Sequence, residues 1–78
     1  MPTVFIKNGF RFFFYSNENN EPYHVHVKKG DAEAKVWLAP VSLESSYGFV
    51  KQDILKIIDI AIDNEQIIKE AWDEFFKN

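Results

Sequence analysis

The chemistry-bearing residues of this chain gather around one short stretch, Pro22-Tyr23-His24-Val25-His26-Val27. Two histidines at i and i+2 point the same way from an extended strand, with Cα atoms roughly 6.6 Å apart. Imidazoles so placed suit acid–base work on one small group, because both titrate near neutrality. Cleavage of RNA through the 2′-hydroxyl needs such a pair, together with cations that stabilise the charge of a phosphorane-like transition state. His24 and His26 are therefore the candidate catalytic pair. Arg11, Lys28 and Lys35 are the candidate phosphate-binding cations, and Tyr15 and Trp37 the candidate platforms on which bases would stack. A catalytic face of this kind should hold its rings within roughly 4–7 Å of each other and of a cation.

Plainer roles are open to the same residues. Two histidines on a solvated sheet face are satisfied by water and nearby carboxylates. Arg11 among phenylalanines can lay its stem along apolar surface, and each aromatic ring can simply pack. A metal site needs a third or fourth ligand. Glu33 falls on the same face as the histidines and Asp31 at its edge, but neither clearly converges on them, and Lys28 and Lys35 flank the pair with repelling charge. No metal and no cofactor is expected. The chain has no cysteine, which removes thiol catalysis, disulfides and every Cys-based zinc site. No glycine-rich phosphate loop is present, and Ser42, Ser45 and Ser46 have no base beside them in sequence.

The elements that must position these residues follow from local pattern. Thr3–Lys7 and Phe10–Tyr15 read as strands around Asn8-Gly9, a strong hairpin signal because both residues tolerate positive φ. A two-residue turn pairs Lys7 with Phe10, Ile6 with Arg11, Phe5 with Phe12 and Val4 with Phe13. Phe5, Phe10, Phe12 and Phe14 then share one face; Val4, Ile6, Arg11, Phe13 and Tyr15 share the other. Residues 16–22 are loop by composition. Tyr23–Lys28 and Ala32–Leu38 form a second hairpin around Gly30-Asp31, with Lys28 facing Glu33, His26 facing Lys35 and His24 facing Trp37. Pro40 is expected to stop the sheet, and residues 41–49 to run as a connector. From about Lys51, apolar residues at Ile54, Leu55, Ile57, Ile58, Ala61 and Ile62 have helical spacing. Asn64 is a plausible N-cap for a second helix bearing Ile67, Ile68, Ala71, Trp72, Phe75 and Phe76.

The expected fold is thus α+β: a four-stranded antiparallel sheet of two hairpins, followed by two C-terminal helices packed on one sheet face. With 78 residues there is one domain, divided into sheet (1–39), connector (40–50) and helices (51–77). So small a core needs help, and aromatic residues at 17%, eight of them Phe, supply large apolar side chains. The start of the chain lacks a signal-peptide pattern and no apolar run is long enough to span a membrane, so a cytoplasmic protein is expected. Net charge is −3, against a general nucleic-acid coat. It is uneven: five bases and four acids in residues 1–43, four bases and eight acids in 44–78.

Met1-Pro2-Thr3-Val4-Phe5, Gly9–Glu18, Glu21–Val27, Lys29–Leu38 with Pro40, Gly48-Phe49 and Ala71-Trp72, in that order and spacing, resemble the small bacterial family known as domain of unknown function 4160. One residue departs: the family's motif has a second proline where this chain has Tyr23, before two matching histidines. The resemblance implies a short stand-alone protein, often encoded beside another small protein in an arrangement like a toxin–antitoxin pair. It assigns no reaction. Two functions are therefore expected to compete: a toxin acting on RNA through His24 and His26, and a non-enzymatic interaction module. The expected partner is a cognate, antitoxin-like small protein, with RNA or a second copy of the chain as further candidates and no membrane.

Overall fold

The computed structural model describes residues 2–18 and 20–77; Asn19, inside the expected loop, lies outside the described residues, as do Met1 and Asn78. The architecture is α+β, with strands β1 (Thr3–Lys7), β2 (Phe10–Phe13), β3 (His24–Lys29), β4 (Ala32–Trp37) and β5 (Ser42–Tyr47), then helices α1 (Lys51–Asp63) and α2 (Glu65–Phe76). The strands form one antiparallel meander in the order β1-β2-β3-β4-β5.

The sheet has five strands where four were expected. The residues read as a connector contain β5, and Pro40 stands in the turn that sends the chain back. The strand escaped notice because it lacks the alternation that burial imposes. All six of its residues are exposed, and an edge strand held mainly by backbone hydrogen bonds leaves little hydrophobic signature.

Turn chemistry sets the other registers. Asn8 and Gly9 both take positive φ, 53° and 81°, and they pair Lys7 with Phe10, Ile6 with Arg11 and Phe5 with Phe12. The expected Val4–Phe13 pair is replaced by Thr3–Phe13, because a bulge at Val4 shifts the register. One extra residue turns Val4 toward the core. At the second hairpin Gly30 has φ 59°, and Lys28–Glu33, His26–Lys35 and His24–Trp37 pair as expected.

The helices cover one sheet face. Phe10, Phe12, Phe14, Val25, Val27 and Val36 meet Ile57, Ile60, Ala61, Ile68 and Trp72 in a single core. The buried stripes are narrower than the sequence pattern, since Leu55, Ile62 and Ile67 are each more than half exposed. Asn64 does precede α2, but its side chain makes no N-cap bond; its Nδ2 donates to the Ile60 carbonyl at 2.8 Å and closes α1 instead. Among the described residues, no helix is long and apolar enough to cross a membrane.

Candidate functional site

The opposite sheet face carries the chemistry, and strand register decides who stands beside whom. Arg11 and Phe13 of β2 pair with Lys28 and His26 of β3. Those residues pair in turn with Glu33 and Lys35 of β4, and His24 pairs with Trp37. Tyr47 and Ser45 of β5 complete the rows beside Glu33 and Lys35. Paired residues share a face, so one side of the sheet displays both histidines, three cations and four aromatic rings or acids in neighbouring rows.

This face is not a solvated one at the histidines. His24 is 1% exposed and His26 6%. The His24 ring lies 5.5 Å from Trp37 and 4.9 Å from Trp72 between centroids, while His26 is edge-on to Tyr15 at 4.5 Å. The remaining cover comes from the loop between β2 and β3. Its Glu18 folds over the pair so that a single oxygen, Oε1, lies 2.8 Å from His24 Nε2 and 2.7 Å from His26 Nε2. The two rings are 5.2 Å apart and nearly perpendicular, at 85°.

The outer ring nitrogens face acceptors, one of them at hydrogen-bond distance. His24 Nδ1 donates to the Pro22 carbonyl at 3.0 Å, with Glu21 Oε1 3.8 Å away. His26 Nδ1 lies 3.7 Å from Glu33 Oε2. Glu21 and Glu33 are themselves anchored, Glu21 accepting from Lys35 Nζ at 2.8 Å and Glu33 from the Tyr15 hydroxyl at 2.9 Å. No fully buried side-chain nitrogen or oxygen among the described residues lacks a partner, which is what burial of so polar a group demands.

Electrostatics follow from this packing. Burial pushes the Glu18 carboxyl up, but hydrogen bonds from His24 and His26 outweigh it and hold the group below the usual carboxylate range. For His26, burial dominates and lowers the imidazole despite the opposing pull of the Glu18 carboxylate. Tyr15 is raised by burial and by its bond to Glu33. Lys35 is raised chiefly by Glu21.

The structure therefore brings His24 and His26 together and within the expected ring distance, but places an acid rather than a free cation against them. Lys35 is spent on Glu21 and lies 4.7 Å over the Trp37 ring. Arg11 stacks on Phe13 at 4.6 Å, and its Nε donates to Thr3 Oγ1. Tyr15 and Trp37 pack on the histidines, each with one ring side already taken. Lys28 is the exposed cation of the set. It helps to line an open trough of about 460 Å³ with His26, Glu33, Lys35, Ser45 and Tyr47.

Sequence reasoning missed Glu18 and Glu21, which stood in a loop defined only by composition. The one available signal was that Glu18 ends the Gly9–Glu18 stretch on which the family resemblance rests.

That resemblance is decided by a direct match. The family model described as a domain of unknown function (DUF4160) aligns with residues 9–73, a span that includes both histidines and Glu18. The chain belongs to this family. No curated protein and no solved structure matches the chain. Within the DUF4160 span lie β2 to β5, α1 and most of α2, so the family match covers every residue of the histidine–carboxylate cluster. Met1 to Asn8, with β1, lie outside it.

Proposed function

We propose that this protein is a non-enzymatic binding module of a cytoplasmic toxin–antitoxin-type pair, taking an extended segment of its cognate small protein along β5. The observation that carries this reading is the state of that strand. β5 is an edge strand with all six residues exposed, so its outer backbone groups are available to a further strand. Beside it, the trough supplies Ser45, Tyr47, Lys28 and Glu33 to read alternate side chains. Its mixed charge suits a peptide better than a polyphosphate. Tyr47, 76% exposed, is the kind of amphipathic ring that anchors interfaces.

Co-expression with the small protein of the adjacent reading frame tests this, with complex mass read by size exclusion and light scattering. The wild type should form a complex that Ser45→Arg/Tyr47→Arg abolishes while circular dichroism stays unchanged. A complex indifferent to those substitutions, or no complex at all, overturns the reading.

A second reading, cleavage of RNA by His24 and His26, is supported by the place of His26 at the trough that also holds Lys28 and Lys35. It requires Glu18 to swing away, because both Nε2 atoms are engaged by its carboxylate. Induced expression should then arrest growth with the wild type and not with folded His24→Ala/His26→Ala.

A further inference from the structure

At His24 the hydrogen bonds do not close with a neutral ring. Pro22 O can only accept, so His24 Nδ1 carries the proton of that bond. In a neutral ring the other nitrogen, Nε2, then presents a lone pair, yet 2.8 Å away it meets Glu18 Oε1, an acceptor when ionised. Two acceptors at that distance hold together only with a positive charge between them, either a proton or a metal ion. His26 meets the same oxygen through Nε2 and turns Nδ1 toward the Glu33 carboxylate, 3.7 Å away and beyond a hydrogen bond.

We propose that Glu18, His24 and His26 form a binding site for a divalent transition-metal ion of zinc type. Three features beyond the acceptor excess support the assignment. The ligand atoms, two imidazole nitrogens and a carboxylate oxygen, lie within 4.8 Å of one another. The outer nitrogen of His24 donates to a backbone carbonyl, the arrangement that orients a metal-binding imidazole and fixes its tautomer, and that of His26 faces the Glu33 carboxylate at 3.7 Å. Two ligands stand on adjacent same-face positions of the central strand β3, a rigid base.

The ligand atoms have to rearrange around an ion. Bonds of about 2.0–2.1 Å in a tetrahedral site separate ligand atoms by about 3.3 Å. Glu18, carried on a loop, has to retreat by roughly half an ångström, and the two imidazole nitrogens, which lie within 4.8 Å of each other, have to close to the same spacing. Local charge also fits. Glu18, Glu21 and Glu33 all lie within 4 Å of the imidazoles, against one bonded cation, Lys35. Of the two lysines that argued against a metal, Lys35 is neutralised by Glu21 and Lys28 stands exposed to solvent. A donor set of two nitrogens and one oxygen selects zinc or its transition-metal neighbours over magnesium and calcium, which favour oxygen. Three protein ligands leave a further position for water or a ligand, and His26 borders the open trough.

The test uses untagged full-length chain stripped with a chelator and titrated with zinc chloride, or with magnesium chloride, in a calorimeter and in thermal unfolding. Zinc should bind one per chain, release protons in buffers of differing ionisation enthalpy, and raise the Tm; magnesium should do none of the three. Glu18→Gln keeps the size and polarity of the side chain and should weaken zinc by about tenfold or more, whereas Asp31→Asn in the trough should leave it unchanged. Cobalt(II) bound to the wild type should show visible absorption that zinc abolishes. No zinc binding by folded wild type overturns the proposal, and so does zinc binding of equal strength in Glu18→Gln. Neither result bears on capture of a partner along β5.

Discussion

The two faces of the sheet are buried by opposite means. Under the helices, Phe12, Val25, Val27 and Val36 are fully buried among apolar side chains, and their burial stabilises roughly in proportion to area, with no requirement on direction. Across the sheet, His24 and His26 are nearly as buried, but each polar atom needs a partner at a set distance and angle. The first face tolerates approximate shape. The second is satisfied only as a set, with Pro22 and, from the loop, Glu18 supplying acceptors to the histidines and Glu33 one to Tyr15. A small domain that places a polar knot on its second face gives up apolar burial there for a specific arrangement of groups.

Breaking each face should therefore have a different signature. The largest loss is expected from Phe12→Ala, which removes a fully buried ring and should cost about 3–5 kcal/mol in urea unfolding. Glu18→Ala comes next. It strands two buried imidazoles and should cost roughly 1–3 kcal/mol. The polar face should also be non-additive. In the metal-free protein, a cycle of Glu18→Ala and His26→Ala should show a coupling energy on the order of 0.5–3 kcal/mol, because the second change removes a group the first has already left unpaired.

A smaller effect separates the polar face by pH. Tyr15, packed and bonded to Glu33, and Lys35, bonded to Glu21, have folded pKa values raised above their ordinary values of 10.0 and 10.5. A group raised on folding lends stability that is complete below its unfolded pKa and is lost as pH rises through the folded one. Chemical denaturation should show stability falling from about pH 10 upward, with a shallower fall in Tyr15→Phe. An equal slope in the two proteins would detach Tyr15 from this balance. The smallest stability change, within about 0.5 kcal/mol, is expected for Tyr47→Ala on exposed β5, where only partner binding should suffer.

Sequence legibility followed the same division. Both hairpin turns were readable because Asn8-Gly9 and Gly30-Asp31 carry their backbone requirement in their residue types, and the register of His24 with Trp37 and of His26 with Lys35 followed from them. The helices were readable from periodicity, although Leu55 and Ile62 lie outside the buried stripe. β5 was not readable: Ser42, Glu44, Ser45 and Ser46 bury nothing, so no pattern marks them. The bulge at Val4 was likewise silent, since nothing local demands it. At the site, strand alternation brought the histidines to one face, but their burial depends on where the loop after Tyr15 lies. A loop's resting place is set by long-range partners, and Glu18 has no periodic neighbour to announce it.

His24 and His26 are interior groups held by Glu18. Nitrogen-15 NMR of the imidazoles in metal-free protein, followed across about pH 5 to 8, tests that most directly. Slowly exchanging ring N–H signals are expected, with the His24 Nδ1 proton held on the Pro22 carbonyl and both histidine spectra altered by Glu18→Gln. Rapidly exchanging rings that titrate together as ordinary exposed imidazoles, unchanged by Glu18→Gln, would contradict it.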